Sequence, residues 1–507
     1  MVAADPRADR IARDLKIFLE NASENRVRPS LRRESPVSFE EIVSPAVTFA
    51  LDRLRRAARP MAPKILETSA WRSLGRHLTQ RLAFALGPTL RLEQNIAQAV
   101  ARSLEKGNAL RNRKITLLET VQDFPGALET AAQLIASWID AQSELLTRLV
   151  RDEHLLCSVF LRNRKEFRLR AIRPGLSDPH DGGRSVTIIE FANGDRVIYK
   201  PRSCAREQIW FEALAGLNRN GFQLVFRVPR LVGRQNYSWM EFLRASGCRN
   251  FKAVSAFYFR WGAQAALAQI LGASDLHRDN WLAVGPQPVL VDAELIGSER
   301  SRRLTAFLET GLLPLTARDR AGFYRGIAPF DATLSATGQP SCWPRCKGKP
   351  QPPSKYIDDL IRGFEAVAEI FAQRDSARQF FREIISRPAQ RGKPRLLLRS
   401  SSEYARLLQQ SLAVAYMISP GQRWRWLART CVASAVSRSL GLAEARALLR
   451  CDIPKLVARR KIYRPPWKDF STKVAELKDS ARVFRNRVLL RRRVRRRRLK
   501  PNLMPRG

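Results

Sequence analysis

Between Ser274 and Leu295 the chain reads SDLHRDNWLAVGPQPVLVDAEL. Asp275 and Asn280 stand five residues apart, and Asp292 follows Asn280 by twelve, at the end of an apolar run. Carboxylate and carboxamide oxygens are hard ligands suited to Mg²⁺. A carboxylate left off the metal can take the proton of an attacking hydroxyl. Together these are the needs of phosphoryl transfer: an aligned nucleophile, a proton acceptor and a metal that neutralises triphosphate charge. A base five residues before the metal-binding asparagine has the spacing of such a loop. That selects Asp275 as the base and Asn280 and Asp292 as metal ligands. The tempting alternative, Asp279 of the HRD triplet 277–279, directly precedes Asn280 and reads as a solvated loop charge. Lys200, closing the β-rich run RVIYK, would neutralise phosphate.

A second cluster lies upstream in SDPHDGGRS, Ser177 to Ser185. Gly182 and Gly183 just before a strand allow the backbone to approach a phosphate closely. Asp178 and His180 are not needed for phosphoryl transfer, so a task beyond it is expected of this site.

The elements that must position these residues follow from periodicity. Residues 1 to about 155 carry apolar residues at helical spacing. The pattern changes near Cys157. RSVTIIEF and RVIYK are β-rich and flank Asn193-Gly194, a hairpin signal. A helix-like REQIWFEALAGLN and a β-like YSWMEFL follow. Helical spacing returns from Phe251 to Leu271 and stops at Gly272, PVLVDAE reads as a short buried strand, and helix dominates after about Ser354. The Pro/Gly-rich stretch Thr337 to Ser354 is expected to be an exposed loop. A β-rich lobe with a strand lysine, a linker strand and a helical lobe opening on an acid-rich loop is the order of parts in kinase-like phosphotransferases.

Composition bounds the partners. A chain of 507 residues with 45% apolar content can bury a large core. The net charge of +43 attracts polyanions such as nucleotides, anionic lipids or acidic peptides; nucleic acid is not the expected partner. Part of that charge is the tail RNRVLLRRRVRRRRLK, Arg485 to Lys500, expected to be disordered and either simply solvated or a docking segment for an acidic peptide. No signal core and no apolar run long enough for a membrane span are present. Seven scattered cysteines make no disulfide framework, and Cys342 and Cys346 in CWPRC lack further zinc ligands at matching spacing. A cytoplasmic location is the expectation.

The motifs together resemble the dehydratase domain of type II lanthipeptide synthetases. They are SDPHDGGRSVTIIEF, VIYKPRS, YSWMEFL, SDLHRDNWLAV, PVLVDAEL, LETGLLP, IRGFEAVAEIF, RLLLRSSSEYARLL and RCDIP, spanning about Phe124 to Pro454. The resemblance implies a fold similar to lipid kinases. It also implies a two-step activity: ATP phosphorylates serines and threonines of a precursor peptide, and the phosphate is then eliminated to leave dehydroalanine or dehydrobutyrine. By motif, Lys200, Asp275, His277, Asn280, Asp292 and Glu294 match the phosphorylation site. Asp178, His180, Arg395 and Ser401 match positions tied to elimination, and Lys200 could serve both steps. Lys200, Gly182, Gly183 and Met240 are the expected nucleotide contacts. Three departures stand out. Ser401 replaces the usual threonine, Ser177 replaces a usual glycine, and the zinc-dependent cyclase that follows in the family is missing, so ring closure falls to a separate cyclase or does not occur.

The expected fold is α+β, a kinase-like (lipid-kinase-like) bilobal arrangement with a helical N-terminal region. Its expected parts are a helical region over 1–155, a small β-rich lobe over 156–243, a larger helical catalytic lobe over 244–475 and a basic tail over 476–507. The expected function is a lanthipeptide-type dehydratase using ATP and Mg²⁺. The alternatives are a Ser/Thr kinase of the same fold without elimination, or a silent leader- or polyanion-binding protein.

Overall fold

A computed structural model describes residues 5–24, 38–59, 65–103, 115–162, 167–293, 296, 310–312, 328–330, 342–386, 395–396 and 398–457. The basic tail 476–507 and Glu294 lie outside the described residues, as does the side chain of Arg395. The described structure mixes helix and sheet. It divides into two compact units, one of residues 1–201, 239–242 and 396–456, the other of 202–238, 243–395 and 457–507. The units thus group the N-terminal helices with the first strands, and the segment 396–456 returns to them.

In the first unit the N-terminal region is helical, as its periodicity predicts: α1 (Pro6–Glu24), α2 (Phe39–Ala57), α3 (Thr68–Ser103), α4 (Leu117–Asp123), α5 (Pro125–Arg151) and α6 (Glu153–Val159). α5 is the centre, with Leu134, Ile135, Trp138, Leu145, Leu146 and Leu149 all buried. Its start is tied to the later segment: the Gly126 amide donates to the Met417 carbonyl at 2.9 Å, and a Cβ on Gly126 would lie 2.7 Å from that oxygen.

The strands β1 (Leu169–Arg173), β2 (Thr187–Phe191), β3 (Arg196–Lys200) and β4 (Ser238–Glu241) lie side by side in that order. β2 and β3 are antiparallel, pairing Thr187 with Tyr199 and Glu190 with Arg196. The Asn193-Gly194 hairpin forms, with Gly194 in the left-handed region at φ 84° and its amide donating to the Phe191 carbonyl at 3.0 Å. This is the three-residue hairpin whose last loop position favours glycine. The α3 end of the helical region completes the free side of β1. The Glu67 amide donates to the Leu169 carbonyl at 3.0 Å, and the Ser73 hydroxyl donates to the Ile172 carbonyl at 2.9 Å while accepting from its amide at 3.0 Å. An edge strand is thereby covered instead of left open to pair.

In the second unit the helix Phe251–Ile270 is buried on nearly every side. It crosses the helix Ile357–Gln373 at two glycines: a Cβ on Gly262 would collide with the Leu360 carbonyl, and one on Gly363 with the Phe259 carbonyl. Beside it stands the hairpin β5 (Trp281–Val284) and β6 (Gln287–Leu290), pairing Trp281 with Leu290. Gln264 donates to the Pro288 carbonyl at 2.6 Å, and Trp261 and Trp281 pack with ring centroids 5.5 Å apart. The strand in PVLVDAE was legible; its partner β5 was not anticipated. The loop expected to be exposed is corrected in part. Cys342, Trp343 and Cys346 are buried, Arg345–Cys346 pairs with Lys349–Pro350, and the Cys248 amide donates to the Arg345 carbonyl at 2.6 Å. Apolar side chains there found a core that the surrounding prolines and glycines concealed. No helix is long and apolar enough to cross a membrane among the described residues.

Candidate functional site

Two loops carry most of the candidate residues, one in each unit. In the second unit the loop 274–280 runs from the end of the helix Phe251–Ile270, past Gly272 at φ 58°, into β5. Asp275 adopts φ 63°, a left-handed conformation that aspartate and asparagine tolerate better than most side chains. The Leu276 amide donates to the Thr310 carbonyl at 2.8 Å, and the Leu276 side chain is buried.

From there the loop holds itself. Residues 278–280 form a 3₁₀ turn whose cap is His277: its Nδ1 accepts from the Asp279 amide at 3.3 Å. The two ring nitrogens of a neutral histidine cannot both accept. Nε2 lies 3.9 Å from Asp275 Oδ1 and 3.4 Å from Asn280 Nδ2, a nitrogen that only donates, so a neutral ring accepts either from this carboxamide or from the Asp279 amide. Asn280 Nδ2 in turn donates to the Asp275 carbonyl at 2.7 Å. The five-residue spacing read from the sequence is therefore closed by a hydrogen bond between its two ends.

With Nδ2 so engaged, Asn280 Oδ1 is the group left to act as a ligand. The Asn280 carbonyl also accepts from the Val291 amide at 2.8 Å, which brings the chain at Asp292 beside it. Asp292 Oδ1 accepts from Arg202 Nη2 at 2.8 Å, and the same arginine pairs with buried Glu207 at 2.5 Å. Asn280 and Asp292 thus supply hard oxygens from neighbouring backbones, a donor set that fits Mg²⁺ completed by phosphate oxygens. Among the described residues no group of three or more His, Cys, Asp or Glu could hold a metal unaided. The Asp279 side chain is 70% exposed against 29% for Asp275, in keeping with its reading as a solvated charge.

In the first unit the loop 177–185 turns through three successive left-handed residues, Asp181 at φ 47°, Gly182 at 88° and Gly183 at 80°. The amides expected to approach a phosphate are instead engaged by a carboxylate of this chain. Gly182 N–H donates to Asp452 Oδ2 at 2.6 Å and Gly183 N–H to Oδ1 at 2.9 Å. Asp452 is 1% exposed, and Arg81 from α3 lies 3.7 Å from Oδ1. Burial pushes its pKa above the ordinary carboxylate value, while Arg81 and the two amides pull the other way.

Next along the chain, the Ile453 amide donates to the Pro179 carbonyl at 2.8 Å, and the Ile453 carbonyl accepts from His180 Nδ1 at 2.7 Å. Asp178 is exposed and His180 half-buried. On the other side of the loop, Arg184 pairs with Glu144 of α5 at 2.5 Å, Glu144 also pairs with Arg148, and Arg148 donates to the Tyr199 hydroxyl beside Lys200.

The remaining candidates are placed as follows. Lys200 ends β3 and is 3% exposed; Met240 lies in β4 and is 2% exposed, its side chain in the core and not at a surface. Arg395 opens the two-residue strand Arg395–Leu396. Ser401 is exposed at the first position of the helix Ser401–Ser411, just after the N-cap Ser400, which forms a capping box with Glu403. That helix start is anchored by Arg399 on buried Glu444 at 3.0 Å and by the Tyr404 hydroxyl on Glu444 at 2.6 Å.

The sequence reading missed Asp452, Arg81 and Arg202 as site residues. The RCDIP and KPRS motifs contain two of them, so a signal was present. What it lacked was a partner, since Asp452 bonds residues about 270 positions away.

The sequence profile of a family described as "Domain of unknown function (DUF4135)" matches residues 124–325 and 329–459. The Lacticin 481/lactococcin biosynthesis protein LcnDR2 of Lactococcus lactis subsp. lactis is 22% identical over 292 residues, covering 47% of this chain and 31% of that protein. The chain thus spans about a third of the length of this curated relative.

Proposed function

The chain belongs to the DUF4135 family and is lanthipeptide synthetase-like, and on that footing we propose that it is a kinase-like peptide dehydratase of lanthipeptide biosynthesis. The observation that carries the proposal is the closed spacing of the loop 274–280. Asp275 and Asn280 are joined by a 2.7 Å hydrogen bond, and the Val291 amide brings Asp292 beside Asn280. The substrates are ATP and a Ser/Thr-containing precursor peptide.

In the first step the Asp275 carboxylate accepts the proton of a peptide hydroxyl as its oxygen bonds to the γ-phosphorus and the bond to ADP breaks. His277 lies with Nε2 3.9 Å from Asp275 Oδ1 and, when that nitrogen carries a hydrogen, helps hold the carboxylate charge. Asn280 Oδ1 and Asp292 would hold Mg²⁺, which when bound neutralises phosphate charge. Lys200 contributes a fixed cation to the same end. In the second step the Cα proton is removed, the Cβ–O bond breaks and inorganic phosphate leaves, producing the Cα=Cβ double bond. His180 accepts a proton in this step, with Asp178 two residues before it in the same loop. Arg395 steadies the departing phosphate, a task suited to its planar fork of donors. Ser401 supplies a hydroxyl at an exposed helix start.

Mass spectrometry of the cognate precursor after incubation with ATP and Mg²⁺ tests this. The expected product is lighter by about 18 Da per modified residue, and Arg395→Ala is expected to yield a peptide heavier by about 80 Da per residue, the phosphoester retained. A phosphorylated product from the unmutated protein would leave a kinase without elimination.

A further inference from the structure

We propose that Asp452 and Ile453 form a positioning clamp that fixes His180 as a proton acceptor through Nε2. The inference rests on the proposed dehydratase reading and assigns its second step a support that the motifs do not name.

The argument starts from the hydrogen bond between His180 Nδ1 and the Ile453 carbonyl at 2.7 Å. A carbonyl oxygen only accepts, so Nδ1 must carry the hydrogen, and the lone pair of the neutral ring is then on Nε2. Fixing a histidine tautomer through its other nitrogen is how proton-transfer histidines are oriented, with a backbone carbonyl serving as well as a carboxylate.

The second part is what keeps the Ile453 carbonyl there. Ile453 N–H is bonded to the Pro179 carbonyl at 2.8 Å, one residue before His180. Asp452, one residue before Ile453, accepts from both Gly182 and Gly183. The clamp therefore grips the loop on both sides of the histidine. The grip requires unusual concessions from the chain. Gly182 and Gly183 sit at φ 88° and 80°, where a Cβ is strained, and a Cβ on Gly183 would also lie 2.6 Å from Arg81 Nη1. A carboxylate 1% exposed is tolerated only with such partners. A turn needing no more than shape could be closed by water or by a local side chain. This one draws an aspartate from 270 residues away and lays the next carbonyl on the histidine ring.

Two measurements test the clamp. The protein has four histidines, so ¹⁵N-histidine labelling resolves each ring, with His180 assigned by its loss in His180→Gln. In the unmutated protein, above the range where the ring is charged, His180 is expected in the Nδ1–H form. An Nε2–H form overturns the proposal whether or not any variant folds and whether or not the protein eliminates phosphate. The second measurement uses a pre-phosphorylated precursor. Asp452→Asn is expected to slow elimination by about 10²-fold while leaving phosphorylation within about threefold. In a His180→Gln background the same change is expected to add nothing, because residues acting through one group are not additive. Equal loss of both steps, or a full further loss in the His180→Gln background, would reduce Asp452 to a structural residue. If the unmutated protein eliminates nothing at all, the dehydratase reading fails, and the tautomer measurement still decides the clamp.

Discussion

The loops 177–183 and 274–280 each carry a histidine, and they are held by opposite means. In 274–280 the side chains of His277 and Asn280 find local partners: His277 caps its own turn, and Asn280 reaches back five residues to Asp275. In 177–183 the partners are remote, Asp452 and Ile453 at about 270 residues' distance. The histidines differ as well. His180 Nδ1 donates to a backbone carbonyl, so Nε2 of its neutral ring presents a lone pair; the two nitrogens of His277 face competing donors, the Asp279 amide and Asn280 Nδ2. The difference teaches that a backbone carbonyl against Nδ1 commits a histidine to one tautomer, as a pair of competing donors does not.

The sharpest way to break this comparison lies in the self-held loop. Asp275→Asn keeps a side chain that tolerates φ 63° but removes the proton acceptor. A loss of about 10²–10⁴-fold in peptide modification is expected, against less than about threefold for exposed Asp279→Asn, measured by mass spectrometry at early times. Equal losses would undo the assignment of the two aspartates.

A third histidine supplies a control with no loop to serve. His77 on α3 accepts from Trp138 Nε1 at 3.2 Å through Nδ1, and burial first, then Arg81, lowers its pKa from 6.5 to about 4. The folded state therefore resists a proton that the unfolded chain takes up below 6.5. The stability is fully present above 6.5 and is lost as the pH falls towards about 4, by roughly 3 kcal/mol. Urea unfolding at pH 7 and pH 4.5 should show this loss, and His77→Asn, which can still accept from Trp138, should show a smaller one. An unchanged acid limb in His77→Asn would remove His77 as its source.

The smallest effect separates a glycine packed against another side chain from one in open space. Gly194 and Gly183 have nearly the same φ, 84° and 80°, but a Cβ at Gly194 meets nothing within 4 Å. Gly194→Ala is expected to cost about 1 kcal/mol of strain. Gly183→Ala should cost about 2 kcal/mol, because the new methyl also presses on Arg81 while that arginine is held at Asp452. Equal midpoints in thermal unfolding would mean that Arg81 yields freely and the clamp is soft.

What the sequence disclosed divides along the same line. The Asn193-Gly194 hairpin, the helix that stops before Gly272 and the spacing of Asp275 and Asn280 all follow from contacts within a few residues, and such contacts leave periodicities and turn signals. β5 escaped because it begins directly after Asn280, inside a stretch read for chemistry, and its pairing with β6 needs only a turn at Gly285, φ 56°. The burial of Cys342, Trp343 and Cys346 escaped because their cover, the segment at Cys248, is almost a hundred residues earlier. Gly182 and Gly183 are expected to approach a phosphate, and their amides are instead bonded to Asp452. The anion that occupies their amides is a side chain of the same protein, and composition near the glycines gives no hint of it.

The distance between the glycine turn and Asp452 also has a consequence in time. A ribosome adding about 5–20 residues per second needs roughly 15–50 s to pass from Gly182 to Asp452, 270 positions on. Through that interval β2, β3 and the hairpin between them can form, while the turn bearing His180 has no carboxylate to close on. A place made early is thus completed late, and the His180 ring acquires its orientation only as synthesis passes Ile453.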